Sequence, residues 1–345
     1  MKKLNLLIIL VFISFSYIAC EKEDPIKENF ESRDIKEKSI QISNSKFLVA
    51  NRNIGTLSLF NANNAKKIRN INIPGNAQPT YIATNQTNEI YVADFERGLV
   101  WVYRKDNLEL TGRIKVEKGS FHMWFNKNRN QLWVNNIISK TTSVIDLTLY
   151  KVIKNLKLPT NISRDAEQHD VVISEDGRRA YVTVLIGDQK SLIFMYDTDN
   201  LKLLRKVTVG GDAHLFTIKN RVYVPVQNAN RLVVFDLNLD RKCTIPLSSA
   251  HGITGNDQYL FVTSIKDKKV TILDRKTLKR SDVLNTQFET PHNLAITDSG
   301  KRLIISFSGA NSRKATIWKI ENGKFKQSFV TNSGLNPFGV VSLQN

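Results

Sequence analysis

The chain has 345 residues, with 50 Lys and Arg against 32 Asp and Glu, five His and only two Cys. At 41% apolar and 24% charged it has the composition of a folded globular protein, which excludes a disordered, collagenous or disulfide-scaffold chain. The formal net charge of +18 suggests an acidic partner such as nucleic acid, and the first twenty residues argue against that partner.

Lys2 and Lys3 precede a mostly apolar run from Leu4 to Ile18, and Ala19 stands before Cys20. A positive start, an apolar stretch and a small residue at the cleavage point form a secretory signal, and the run is short for a membrane-spanning helix. Tyr17-Ile18-Ala19-Cys20 resembles the lipobox of bacterial lipoproteins, with Tyr17 where Leu is usual. That resemblance implies removal of residues 1–19 and acylation of Cys20 as a membrane anchor. Residues 20–45 alternate in charge and lack periodic apolar positions, as expected of a solvated tether. Within them Glu21-Lys22-Glu23-Asp24 resembles the acidic sorting signals of some Gram-negative surface lipoproteins, a plain soluble leash being the alternative. The expected location is the outer membrane, at its periplasmic face or the cell surface, with the membrane as partner through the lipid and no nucleic acid. Loss of Lys2 and Lys3 lowers the charge to +16, spread over stretches such as Lys266-Asp267-Lys268-Lys269. It reads as a solvated basic surface, with a face for lipid phosphates or acidic polysaccharide as the alternative. Cys243 reads as an inert strand residue.

From Phe47 onward the chain repeats with a period of about forty residues. One apolar strand recurs seven times: Phe47-Leu48-Val49-Ala50, Ile90-Tyr91-Val92-Ala93, Leu132-Trp133-Val134-Asn135, Ala180-Tyr181-Val182-Thr183, Val222-Tyr223-Val224-Pro225, Leu260-Phe261-Val262-Thr263 and Leu303-Ile304-Ile305-Ser306. Each is followed by a polar turn and a β-branched strand, and a third strand comes next, as at Val152 to Leu158. Asp146, Asp197, Asp236 and Asp274 end four of the second strands and read as Asx turn formers rather than catalysts. A further strand precedes the last six copies, as at Val171-Val172-Ile173. The first copy lacks it, and the chain ends on an orphan of that kind, Phe338 to Leu343. The expectation is an all-β fold, a single seven-bladed β-propeller of four-stranded blades over residues 46–345, its ring closed by the C-terminal strand. A monomer is expected.

Ala180-Tyr181-Val182-Thr183, Ile90-Tyr91-Val92-Ala93-Asp94 and the loop Ser174 to Arg179 resemble the repeat of YVTN-type propellers. The resemblance implies the fold and leaves function open, since similar propellers serve as lactonases, lyases, electron-transfer subunits and binding proteins.

His122, His169, His214, His251 and His292 are the five histidines, and each precedes the innermost strand of its blade, at intervals of 47, 45, 37 and 41 residues. Chance alone gives such a register with odds on the order of one in ten thousand. Thr80 and Phe338 hold the matching place in the other two blades. A single histidine here would pack and bond a neighbouring blade, whereas five in consecutive blades surround one channel mouth. Converging imidazoles suit copper, zinc, iron or nickel, while magnesium and calcium want oxygen. Five neutral ligands leave the ion's charge uncompensated, which favours an anionic ligand or bound hydroxide. Asp170 is the candidate carboxylate for orienting an imidazole. Trp124, Phe216 and Phe338 read as core near the ring. The cluster resembles the axial histidines of nitrous oxide reductase propellers, but without their paired neighbouring histidines. No Cys-x-x-Cys-His haem motif, nucleophile elbow or phosphate loop occurs.

The sequence therefore leads to a cell-envelope lipoprotein that binds a transition metal or a metal-bearing ligand at the histidine ring. A metal-dependent hydrolase or lyase at the same site and a surface scaffold for an envelope protein or polysaccharide are the alternatives.

Overall fold

The computed structural model describes residues 45–85, 87–187 and 189–343. The expected signal peptide, the anchor Cys20 and nearly all of the tether lie outside the described residues. Twenty-eight strands form seven four-stranded antiparallel sheets, and Pro337–Leu343 pairs with Lys46–Asn51 to complete the first blade. The seven-bladed propeller and its closure by the last strand are as the repeats imply. Blades are numbered here from the one that Lys46–Asn51 belongs to.

Each blade is buried on both faces, which is why its second strand is a continuous apolar run rather than an alternating one. Along Lys46–Asn51, Phe47 and Val49 face blade 7 and meet Ile304 and Ile317. Leu48 and Ala50 point the other way and meet Val92 and Trp101 of blade 2. All seven blade interfaces have such a cluster. The core is therefore a set of seven radial wedges, each large side chain in it contributing about 1.5–3 kcal/mol.

The four aspartates read as turn formers do that work, since Asp146, Asp197, Asp236 and Asp274 accept backbone N–H bonds from Thr148, Asp199, Asn238 and Thr277 at 2.7–2.9 Å. The basic charge, scattered along the sequence, collects on the rim. The seven outermost strands carry fourteen Lys and Arg and one acidic residue, Asp282. These strands have one edge without a strand partner, and a row of lysines and arginines there opposes pairing with another chain. Cys243 lies on one of them, Arg241–Pro246, and is buried.

The innermost strands share an irregularity that positions everything at the axis. In six blades the register slips so that two residues face one: Thr80 and Tyr81 oppose Ala93, Phe121 and His122 oppose Asn135, His169 and Asp170 oppose Thr183. His251 and Gly252 oppose Thr263, His292 and Asn293 oppose Ser306, Phe338 and Gly339 oppose Ala50. Such a bulge leaves an N–H outside the ladder and turns a side chain off the sheet. In three blades the hydroxyl opposite accepts that N–H: Thr183 from Asp170 at 2.9 Å, Thr263 from Gly252 at 2.8 Å and Ser306 from Asn293 at 3.3 Å. The fourth residue of the repeated strand thus holds the bulge. In blade 5 that place belongs to Pro225, which has no N–H to give, and the innermost strand shrinks to Phe216–Ile218. His214 there donates its N–H to Pro225 O at 3.0 Å.

Glycine at the second bulge position lets neighbouring blades close in. A Cβ on Gly252 would sit 2.1 Å from His292 O, and one on Gly339 2.3 Å from Thr80 O. Gly252→Ala is expected to lower unfolding free energy by about 2 kcal/mol or more in denaturant titration. Gly112→Ala, with nothing within 4 Å of the new atom, should change it by less than about 0.5 kcal/mol. Equal effects from the two would contradict this account of the blade contacts.

Candidate metal centre

The bulges bring four histidines to the axis, and the segment before the short innermost strand of blade 5 brings the fifth, His214. His169, His251 and His292 occupy the first bulge position, His214 takes the equivalent place in blade 5, and His122 sits one residue further, with Phe121 filling the first position of blade 3. Neighbouring rings are close: His122 to His169 5.6 Å, His169 to His214 5.0 Å, His214 to His251 4.0 Å and His251 to His292 4.8 Å between centroids. Tyr81 stacks on His122 at 3.6 Å, and Phe338 lies 4.3 Å from His292. Trp124 and Phe216 lie further along the axis, as walls of a channel of about 430 Å³ that also touches His122, Asp170, His214 and Asn293.

Asp170 orients two imidazoles, and neither belongs to its sequence neighbour His169. Its Oδ1 lies 2.9 Å from His122 Nδ1 and its Oδ2 3.5 Å from His214 Nδ1. The same carboxylate accepts the N–H groups of Val171 at 2.7 Å and Leu215 at 2.9 Å. Anchoring Nδ1–H in this way leaves Nε2 of both rings as the lone-pair atom, the arrangement that metal-bound histidines use. Both Nε2 atoms are buried without a hydrogen-bond partner among the described residues, as are His169 Nδ1, both nitrogens of His251 and Asp212 Oδ1. Unpartnered buried polar atoms are uncommon in a folded protein, and six gathered at one place require a missing partner.

The ligand atoms of His122, His169 and His214 lie within 4.8 Å of one another, and so do those of Asp212, His214 and His251. Asp212 Oδ1 is 3.6 Å from His214 Nε2 and 3.9 Å from His169 Nε2. Atoms bound about 2.1 Å from one ion stand roughly 3.0–4.2 Å apart, and the distances of Asp212 from His214 and His169 fall in that range. The buried histidines are positioned to hold a metal. Asp212 was not among the residues the sequence singled out. It lies in the loop that enters the innermost strand of blade 5, two residues before His214 as Glu167 is before His169, and it brings the negative charge that five imidazoles lack. His292 stands apart from both groups: Asn293 donates its amide to His292 Nδ1 at 2.7 Å, fixing the proton on Nε2.

Electrostatics favours neutral, ligand-ready rings. Burial pushes His169 down to about 3, and burial, followed by the charge of His214, holds His251 and His292 well below the ordinary histidine range. His122 is lowered mainly by burial, against the pull of Asp170. His214 is the exception: burial opposes its charge, but Asp212 and then Asp170 outweigh it and raise the group. Burial also works to raise Asp170, yet the charge and hydrogen bond of His122, with those of His214, leave it well below the usual carboxylate range.

His169, His251 and His292 are neutral in the folded, metal-free protein while their unfolded counterparts protonate below about pH 6.5. Unfolding then takes up protons, so stability falls as pH drops below that value. Chemical denaturation of metal-free protein between pH 7 and pH 5 should show an uptake of about three protons from these rings at the acid end, with a further part from His122, and a flat profile would contradict the burial of neutral rings.

No family model matches the chain. In sequence it is distantly related to the uncharacterized protein YncE of Salmonella typhi, 24% identical over 296 residues, covering 68% of this chain and 80% of YncE. Among solved structures it is similar to the periplasmic gluconolactonase PpgL of Pseudomonas aeruginosa, with a TM-score of 0.70 at 14% identity over 87% of this chain and 99% of that one. It is also similar to hydrazine synthase of Kuenenia stuttgartiensis, with a TM-score of 0.62 at 16% identity over 78% of this chain and 91% of the other. At these identities the structural likeness shows the fold, a seven-bladed β-propeller.

Proposed function

We propose that the chain is a cell-envelope propeller that binds a transition metal, or a ligand bearing one, through His122, His169 and His214, with Asp212 and His251 forming a second group that shares His214. The observation that carries this reading is the set of buried nitrogen and carboxylate atoms that face one another without a protein partner. Three imidazoles and one carboxylate suit zinc, iron, nickel or copper over calcium or magnesium. Asp170 holds His122 and His214 in the tautomer that binds. His292 supports the ring from outside the ligand set. The signal-like leader and Cys20 make the protein a lipoprotein of the outer membrane, with YVTN-type repeats and no role for nucleic acid. A second reading, hydrolysis or elimination at a metal-bound water, draws on the likeness to a gluconolactonase and on the channel of about 430 Å³ that meets the ring.

Purified mature protein, from cells supplied with copper, zinc, iron and nickel, is expected to contain about one ion per chain by mass spectrometry. His169→Ala with His214→Ala should lose it by tenfold or more, while His292→Ala should retain it. A metal-free wild-type protein would sink both metal readings, and equal loss in all variants would remove the ligand assignment. Separately, Cys20→Ser should move the protein from the membrane to the soluble fraction, and unchanged partitioning would refute the anchor.

A further inference from the structure

The loop-side mouth of the ring carries a cation, Arg52, that is paired with no carboxylate among the described residues. Arg52 opens the short turn Arg52–Ile54 after the strand Lys46–Asn51, and its backbone N–H is fixed by a bond to Asn336 O at 3.0 Å. Its guanidinium stacks between two aromatic rings, 4.7 Å from the centroid of Phe95 and 5.3 Å from that of Phe338. Phe338 is the ring that packs on His292 at 4.3 Å and on Tyr81 at 5.4 Å, so the cation stands one aromatic layer above the histidine cluster. Among the described residues no carboxylate or carbonyl accepts a bond from this side chain. Glu167 and Asp212, the acidic groups near the cluster, belong to blades 4 and 5, across the ring from Arg52, and line a separate pocket with Lys266. A partly buried guanidinium presents its donors in a rigid fork, and stacking fixes the plane of that fork before any ligand arrives. Leaving such a charge unpaired in a half-buried setting is unfavourable, which a bound anion would relieve.

We propose that Arg52 is the anion-recognition residue of the mouth, and that the ligand approaching the metal centre carries an oxyanion, carboxylate or phosphate, seated on the Arg52 fork. This deepens the metal-binding reading, on which it rests for the position of the ligand's other end. The fork matches either oxyanion through two parallel N–H bonds, and the shelf of Phe95 and Phe338 excludes water from one side of that contact.

The test is titration of the full mature chain, metal-loaded and metal-free, with malonate and with inorganic phosphate, followed by calorimetry. Arg52→Gln, which keeps the stem on the aromatic shelf, and Arg52→Ala are expected to retain the wild-type metal content and to weaken the bound anion by about tenfold or more. Lys326→Ala, on the basic rim, serves as the control for non-specific charge and should leave affinity unchanged. Stronger loss with malonate than with phosphate identifies carboxylate as the ligand group, and the reverse identifies phosphate. Wild-type affinity for both anions in Arg52→Gln, or no saturable binding by wild type up to about 10 mM of either, overturns the proposal. Absence of metal with Arg52-dependent anion binding intact would instead remove the metal reading and leave this one standing.

Discussion

Seven twisted sheets packed face to face cannot also meet at their inner edges. The apolar area of this protein is buried in the seven interfaces between blades, where residues such as Phe47, Trp133 and Tyr181 are sealed from water. The axis is what remains after that packing. It is left as a channel of about 430 Å³, so its character is set by whichever side chains the innermost strands turn inward. Bulges with hydroxyls opposite them do the turning, and the same device repeated around the ring carries an ordered set of residues to one level. A change at Thr183 or Thr263 would therefore act on the aim of His169 or of His251 as much as on the strand.

The chemistry of the axis follows from burial. In water an imidazole is protonated near neutrality about as often as not, whereas in this ring desolvation and mutual repulsion favour the neutral form for four of the five. Asp170 and Asp212 then divide the work. Asp170, spending its oxygens on two backbone N–H groups and two imidazoles, is an orienting group with nothing left for a ligand. Asp212 has an oxygen with no partner and faces the same nitrogens from the open side. Two carboxylates of one type, separated by what each is already bonded to, take opposite roles.

The fold was legible because a two-sided buried strand has a distinctive signature, three apolar residues in a row, and because it recurs seven times, five of them ending in a small or hydroxylated residue. The closing strand was legible for the same reason, as the one surplus copy. The histidine register could be read at the scale of a blade, though the one-residue offset of His122 could not, since it depends on Phe121 taking the first bulge position. What escaped the sequence was whatever lacks a repeat. Asp212 stands in a loop position that is acidic in only one other blade, at Glu167, Asp170 reaches across blade boundaries rather than along the chain, and Arg52 gains meaning only from two aromatic rings 43 and 286 residues away. The rim charge was visible as a total but not as a belt, because outer strands are marked by position in the blade and not by any motif of their own.

The pairing of Pro337–Leu343 with Lys46–Asn51 has a temporal side. A chain that closes its ring with residues almost three hundred positions apart has no closed ring to form until the last of them has left the ribosome. Six blades can be assembled earlier, each from neighbouring sequence, but the first waits with an open edge throughout synthesis and, for an exported chain, throughout passage across the membrane. The histidine mouth comes into being last, when closure sets the circumference on which all seven inner strands must agree.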